Sequence, residues 1–308
     1  MRTTRSQAQT PVVIDLTQEP EEKPVLPTLV HKSQSLGKSI TYLNEEELNA
    51  RLQRLPRKAL QLIRLKQRKL QDPSAQVPDF IRQSTPSAVP QSLLTQAVIS
   101  TFVFAGESAG TAVCISPGGL LLTCSHCVGE SRAGLKAKGR SWLISANGQP
   151  VQAKCVVWDP KRDIALLQIV AASSLFTRDG FPFARISTSP PKRNARLLCV
   201  GHPGSEDFEA ATSGVPTGYD VLHISEGRFR GLAPDQDVQD NSDIGALQHD
   251  CWTYWGHSGA PLIEKATGKL MGLHSSWDDE TGMRRGIALQ AIQEFLAEHC
   301  TSVTLKKS

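Results

Sequence analysis

The 308-residue sequence contains no apolar run near the ~20 residues that a membrane-spanning helix requires. Its first ten residues, MRTTRSQAQT, also lack the apolar core of a secretory signal peptide. These two absences argue against a membrane protein and against a secreted one. The sequence therefore predicts an intracellular protein that has no membrane partner.

The sequence also does not indicate disulfide bonds. The chain carries seven cysteines, and an odd number cannot all be paired within one chain. A protein without a signal peptide is expected in a reducing compartment, where thiols stay free. We therefore predict free thiols at positions 114, 124, 127, 155, 199, 251 and 300.

Proline and positive charge are concentrated in residues 1–95. This third holds nine of the 19 prolines, and its 14 basic and 9 acidic residues give a net charge of +5. The remainder has 20 basic and 21 acidic residues, a net charge of −1. A polar, proline-rich stretch does not build a packed core. We expect a disordered arm over residues 1–43, a basic helical segment over 44–71, a linker over 72–95, a folded domain over 96–300 and a tail over 301–308.

Residues 12–17 of the arm read VVIDLT and are followed by several glutamates. An extended β-branched peptide can add a strand to an exposed sheet edge, with its apolar side chains in a groove and the acids facing basic residues. The pattern resembles a SUMO-interacting motif, which implies SUMO or SUMO-modified proteins as partners. Its anchors would be Val12, Val13, Ile14 and Leu16. The alternative is a short apolar patch in a disordered tail.

The helical segment begins with a capping pattern, Asn44 followed by Glu47, and continues with Leu48 and Leu52 at helical spacing. Pro56 suits the first turn of a helix far better than its interior, so two short helices are expected. The second, RKALQLIRLKQRKL, is basic and amphipathic. We favour a solvated charged face lying over apolar packing against the folded domain, rather than a nuclear import signal or nucleic-acid contact. The interleaved aromatic residues of single-strand nucleic-acid binders are absent.

From about Gln96, short apolar runs recur at strand-like intervals, separated by glycine, proline and asparagine. The runs are AVISTFVF, TAVCIS, LLLTC, SWLIS, AKCVVW, IALLQIV, ARLLCVG, DVLHIS, PLIEK and KLMGLHS. This pattern predicts an all-β domain. Residues 287–299, IALQAIQEFLAEH, are amphipathic at helical spacing and predict a closing helix.

Three motifs in the folded domain carry candidate catalytic residues. His126 lies in LLLTCSHCV, Asp163 opens DIALLQI and Ser258 lies in GHSGAPLI. A serine hydroxyl is a poor nucleophile at neutral pH, so it needs an imidazole to accept its proton and a carboxylate to fix the imidazole tautomer. Each motif alone also fits a buried histidine, a strand boundary or a simple turn. Asp159 is the nearest rival carboxylate, but Pro160 follows it instead of an apolar strand.

Together these motifs resemble the trypsin-like serine protease superfamily, especially its HtrA-like and viral branches, over roughly residues 97–298. The order His, Asp, Ser and the intervals of 37 and 95 residues agree with that family. The resemblance implies a chymotrypsin-like fold of two six-stranded β-barrels with the active site in their cleft and a C-terminal helix. It makes His126 the general base, Asp163 its orienting partner and Ser258 the nucleophile, with no cofactor and no metal ion.

The same resemblance extends to the surroundings of the nucleophile. The N–H groups of Gly256 and Ser258 would form the oxyanion hole. His257 stands where secreted trypsins have the aspartate that pairs with a new amino terminus, which argues against activation by N-terminal cleavage. Trp252 stands where trypsin has an acid at the base of its pocket, which argues against a Lys or Arg preference.

The candidate substrate pocket contains Thr253 and His274. They resemble the threonine and histidine with which glutamyl endopeptidases and picornaviral and potyviral proteases recognise Glu or Gln before the scissile bond. The chemistry fits, because a hydroxyl and a neutral imidazole can both hydrogen-bond a side-chain carbonyl. Ser275 would offer backbone groups for pairing with an extended substrate.

The sequence thus predicts an intracellular serine endopeptidase, nuclear rather than cytoplasmic, that acts on proteins or peptides. One alternative is a catalytically inactive adaptor with the same fold, because Trp252, Tyr254 and Trp255 crowd the approach to Ser258. A second alternative, a basic nucleic-acid-associated protein, depends on the N-terminal third alone.

Overall fold

The computed structural model describes residues 40–72, 91–106, 110–176, 180–206, 210–212 and 214–305. The first part of this chain consists of β1 (Thr41–Leu43), α1 (Glu45–Leu52), α2 (Arg57–Leu70) and α3 (Gln91–Ile99). Two β-barrels follow, and α6 (Leu289–Leu305) ends the described chain. None of the described helices is both long and apolar enough to span a bilayer.

The first barrel contains six antiparallel strands. They are β2 (Thr101–Phe104), β3 (Thr111–Cys114), β4 (Leu120–Cys124), β5 (Ser141–Ser145), β6 (Pro150–Asp159) and β7 (Ile164–Ser173). They pair in the order β7-β4-β3-β2-β5-β6, and a β6–β7 pairing closes the barrel. Two short helices, α4 (Ser125–Val128) and α5 (Arg132–Lys138), follow β4.

The second barrel is also closed and six-stranded. Its strands are β8 (Arg196–Gly201), β9 (His223–Leu232), β10 (Leu247–His249), β11 (Pro261–Glu264), β12 (Lys269–Trp277) and β13 (Arg284–Ala288), in the order β10-β13-β12-β11-β8-β9. The predicted fold of two six-stranded barrels with a C-terminal helix is confirmed.

The helices α1 and α2 also form where the sequence indicated, on either side of Pro56. Asn44 and Glu47 make both hydrogen bonds of a capping box at the start of α1. The segment is attached to the first barrel, since β1 pairs in parallel with the end of β7. The two helices also pack on the first barrel through an apolar cluster that is distinct from the barrel core. In this cluster Leu52 and Ile63 pack with barrel residues such as Ile144.

Three strand and helix predictions need correction. The run AVISTFVF is helical up to Ile99, and only its second half forms β2. The strand predicted at DVLHIS begins later, at His223. Ile287 and Ala288 belong to β13, so the closing helix begins at Leu289. Short apolar runs fit a buried helix as well as a buried strand, and the tertiary contacts decide between them.

Candidate active site

The histidine and the aspartate come from neighbouring strands of the first barrel. Strand β4 ends at Cys124, which lies opposite Ile164 at the start of β7. His126 therefore follows one strand end, and Asp163 precedes the other. Nδ1 of His126 lies 3.0 Å from each carboxylate oxygen of Asp163. The predicted base and its orienting partner are in direct contact.

The Asp163 carboxylate is held in place by the chain around the histidine. The hydroxyl of Ser125 donates to Oδ1 at 2.9 Å, and the backbone N–H of His126 donates to the same oxygen at 3.2 Å. Asp163 is only 6% exposed, and its φ of 53° lies in the left-handed region, which is unfavourable for a residue with a side chain. The surrounding fold thus fixes this carboxylate, and Ser125 is a partner that sequence reasoning missed.

Ser258 lies in the loop that enters β11 of the second barrel. Its carbonyl oxygen accepts a hydrogen bond from the backbone N–H of Thr111 at 2.8 Å and another from the thiol of Cys127 at 3.5 Å. Because Cys127 is the neighbour of His126, these contacts fix the serine backbone beside the histidine turn. The cleft between the barrels therefore contains all three predicted residues.

The Ser258 hydroxyl donates to the carbonyl oxygen of Ser275 at 3.1 Å. Within the described residues it makes no hydrogen bond to His126. Catalytic hydrogen bonds are often unformed in a ligand-free site and form when substrate binds. Rotation about the side-chain bond of Ser258 is therefore needed to complete the triad.

The turn before the nucleophile presents two backbone donors. The N–H of His257 donates to the carbonyl of Tyr254 at 3.0 Å, and Gly256 has a φ of 101° at the third position of this turn, as in a type II turn. A Cβ at Gly256 would lie 2.4 Å from the carbonyl oxygen of His202, so glycine is required. Neither Gly256 N–H nor Ser258 N–H donates to any group in the described chain. Both predicted oxyanion donors remain available to a ligand.

The predicted pocket residues Thr253, His274 and Ser275 are all buried. The hydroxyl oxygen of Thr253 has no hydrogen-bond partner among the described residues. Thr253 and His274 are therefore not hydrogen-bonded to each other. Nδ1 of His274 lies 3.1 Å from Nε2 of His249, a residue that none of the sequence motifs indicates. Burial lowers the pKa of His274 well below 6.5, so its ring is neutral at physiological pH.

His257 is a buried structural residue. Its Nδ1 lies 3.0 Å from the carbonyl oxygen of Tyr254, and burial lowers its pKa to about 3. A Cβ at Gly201 would lie 2.3 Å from Cδ2 of His257, so the imidazole occupies the space above that glycine. Trp252 packs edge-on against the same ring, with centroids 5.5 Å apart. Trp255, the second residue of the turn from Tyr254 to His257, is not buried, since 47% of its surface is exposed.

Two thiols flank His126 in the sequence. The Cys124 thiol donates to the carbonyl of His274 at 3.4 Å. Burial raises the pKa of Cys124, whereas the hydrogen bond from Cys124 lowers the pKa of Cys127 to about 6. Burial lowers the pKa of His126, but its hydrogen bonds to Asp163 and Cys127 outweigh this and raise it to about 10. All seven cysteines are free thiols.

The sequence of this chain matches the model of the trypsin-like peptidase domain over residues 110–273, more than half of its length. The chain belongs to the trypsin-like peptidase family. The matched region of this trypsin-like chain contains His126, Asp163 and Ser258, the three residues that meet at the cleft.

Known relatives of this trypsin-like chain include HtrA-type proteins. Serine protease HTRA1A from Danio rerio is 27% identical over 223 residues, which are 72% of this chain and 41% of that protein. Serine protease HTRA1 from Xenopus tropicalis is 27% identical over 192 residues, 62% of this chain and 36% of that protein. The chain thus spans less than half the length of the curated relatives it matches.

Among solved structures, an HtrA-type protease with a decapeptide aligns with a TM-score of 0.50 and 16% identity. The alignment covers 68% of this trypsin-like chain and 66% of that one. At this identity the likeness supports the fold alone.

Proposed function

We propose that the chain is a serine endopeptidase that hydrolyses peptide bonds with His126, Asp163 and Ser258. The observation that carries this proposal is the contact of Nδ1 of His126 with both Asp163 oxygens at 3.0 Å. A carboxylate at Nδ1 keeps a proton there, so in the neutral form of the ring Nε2 is the free nitrogen that accepts the serine proton. The free N–H groups of Gly256 and Ser258 supply donors for the oxyanion of the tetrahedral intermediate.

Substrate binding would also release the nucleophile. The Ser275 carbonyl now accepts from the Ser258 hydroxyl. It lies on β12, where the backbone of His274 still bonds Gly259 and Ala260, so the strand is open for an extended peptide only from Ser275 onward. A substrate N–H that binds the Ser275 carbonyl would displace the Ser258 hydroxyl, which then turns toward His126.

Labelling with a fluorophosphonate probe tests this activity. We expect the wild-type chain to be labelled at Ser258, and Ser258→Ala to remain unlabelled. Ser276→Ala is the matched control, because it removes a neighbouring hydroxyl and leaves the triad intact. A folded wild-type chain that binds peptides but is never labelled would support the inactive adaptor instead.

For the substrate, we propose a preference for Glu or Gln before the scissile bond. The support is a buried Thr253 hydroxyl without a described partner and a neutral His274 whose Nδ1 is engaged by His249. Both groups can then hydrogen-bond a side-chain carbonyl. Cleavage of a peptide library tests this, and enrichment of Arg, Lys or large aromatic residues at that position would contradict it.

We also propose a nuclear location and recruitment through SUMO, on the sequence of the VVIDLT motif alone. Its anchors Val12, Val13, Ile14 and Leu16 lie outside the described residues. Binding of purified SUMO to the full chain should be lost in Val13→Ala/Ile14→Ala and retained in the control Val25→Ala/Leu26→Ala. Equal binding by both variants would refute the motif. Imaging of the full chain tests the location.

A further inference from the structure

The hydroxyl of Thr111 joins the two barrels at the turn that carries the nucleophile. Thr111 is the first residue of β3 in the first barrel, and its exposed fraction is 0%. Its Oγ1 donates to the carbonyl oxygen of Gly256 at 2.8 Å and accepts from the backbone N–H of His202 at 3.0 Å. Gly256 and His202 lie in two different loops of the second barrel. One side chain of the first barrel therefore binds two loops of the second.

The direction of these hydrogen bonds follows from the groups themselves. A backbone N–H can only donate and a carbonyl oxygen can only accept, so the single hydroxyl proton of Thr111 points at Gly256. The carbonyl oxygen of Thr111 accepts from the hydroxyl of Thr123 at 2.7 Å, which holds the threonine backbone within its own barrel. The hydroxyl is therefore a fixed donor with one orientation.

Thr111 also binds the chain on the other side of the nucleophile. Its backbone N–H donates to the carbonyl oxygen of Ser258 at 2.8 Å. The carbonyls of Gly256 and Ser258 flank the peptide group between His257 and Ser258, whose N–H is one of the two candidate oxyanion donors. Glycine has the freest backbone of all residues, so the Gly256 carbonyl is where an added hydrogen bond restrains this segment most.

We propose that the Thr111 hydroxyl is a positioning group that holds the oxyanion donors of Gly256 and Ser258 in their orientation. This inference rests on the proposed serine endopeptidase, in which these donors bind the oxyanion. Donors that are already oriented stabilise the charge of the transition state without a cost of reorganisation. The oxyanion exists only after attack on the substrate. Loss of the hydroxyl should therefore lower kcat and leave KM nearly unchanged.

Thr111→Val tests this role, because valine has a similar shape and lacks the hydroxyl. We expect kcat for a peptide substrate to fall by about 10 to 100-fold, less than the roughly 100 to 1000-fold that removal of an oxyanion donor costs. Thr111→Ser keeps the hydroxyl and should restore most of the wild-type kcat. Fluorophosphonate titration of active sites corrects each rate for unfolded chains.

Ser100→Ala is the matched control. It removes a hydroxyl of the same barrel that is equally buried and donates to the carbonyl oxygen of Ala97 at 2.7 Å, outside the turn. Its kcat should equal that of the wild type. An unchanged kcat in Thr111→Val, or an equal loss in Thr111→Ser, would overturn the proposal. If Thr111→Val does not fold, Thr111→Ala gives the same test, because it places no methyl group against the Gly256 carbonyl.

Amide hydrogen exchange separates this inference from the proposed function, since it needs no catalysis. It is measured on the full chain carrying Ser258→Ala. The N–H of His257 closes the turn by donating to the carbonyl oxygen of Tyr254 at 3.0 Å. Adding Thr111→Val should speed the exchange of this N–H by about tenfold or more, whereas adding Ser100→Ala should not.

Unchanged exchange in the Thr111 variant would overturn the inference even if the wild-type chain is an active protease. Faster exchange in a chain that is never labelled at Ser258 would refute the proposed hydrolase and leave the restraint on the turn standing.

Discussion

Nε2 of His249 lies 3.1 Å from Nδ1 of His274, and both rings are buried in the second barrel. Burial lowers the pKa of both histidines, so one neutral ring donates and the other accepts. Nδ1 of His249 has no partner among the described residues, and an unpaired buried N–H costs more than an unpaired acceptor. His249 is therefore the donor, and His274 carries its proton at Nε2.

Disrupting this pair should alter substrate choice. We expect His249→Phe to lower kcat/KM for peptides with Glu or Gln before the cut by about tenfold, or ~1.4 kcal/mol. His249→Gln should retain most of the activity, because its amide can still donate to His274. Fluorophosphonate labelling, which needs no such side chain, should be similar in both variants. Equal loss of labelling and peptide cleavage in His249→Phe would contradict a role in specificity.

The carboxylate of the triad gives a second prediction. Asp163→Asn should lower kcat by about 10⁴-fold, because an amide no longer selects the Nδ1–H tautomer of His126. Ser125→Ala removes only one hydrogen bond to the carboxylate and should cost far less. Steady-state kinetics on one peptide substrate measures both. Comparable activity of Asp163→Asn and the wild type would exclude Asp163 as the orienting group.

Gly259, directly after the nucleophile, should tolerate no side chain. Its φ is 83°, and a Cβ there would lie 2.1 Å from the carbonyl oxygen of Thr111. Gly259→Ala should lower the free energy of unfolding by ~3 kcal/mol or more, through backbone strain and overpacking together. Gly282 has a similar φ of 68° but nothing within 4 Å, so Gly282→Ala should cost only ~1 kcal/mol. Urea unfolding compares them, and equal losses would refute the steric argument.

Buried histidines predict a loss of stability in mild acid. Burial lowers the pKa of His202, His249 and His257 from 6.5 to about 3. Below pH 6.5 the unfolded chain takes up protons that the folded chain does not, so the free energy of unfolding falls as pH decreases. Each histidine contributes up to ~1.4 kcal/mol per pH unit.

The measurement is urea unfolding between about pH 7 and pH 5, above the range in which carboxylates titrate. His257→Gln, which lacks a titrating ring, should show a shallower decline than the wild type. His299→Gln is the control, since His299 lies on α6 outside this buried group. A wild-type stability that is flat over this range would contradict the prediction.

Much of the fold could be predicted because its signals are local. The capping pattern at Asn44 and the break at Pro56 mark α1 and α2, and short apolar runs mark most strands. The helix α3 was missed because the apolar run that includes Ile99 and Phe102 continues directly into β2. Within that run, only tertiary packing against the barrels determines which residues are helical and which form a strand.

In the candidate site, too, local motifs could be recognised from the sequence and tertiary contacts could not. His126, Asp163 and Ser258 could be recognised because their motifs are contiguous and keep a family order. Ser125 and His249 could not, since their roles depend on side chains 38 and 25 residues away in the chain.

The attachment of β1, α1 and α2 to the first barrel has a practical consequence for fragments of this protein. A recombinant fragment that starts at Gln96 would cut through α3 and remove Leu52 and Ile63, which cover Ile144. The uncovered apolar surface would be available for self-association. Such a fragment should be recovered as aggregates, whereas one that starts at Ile40 should stay monodisperse.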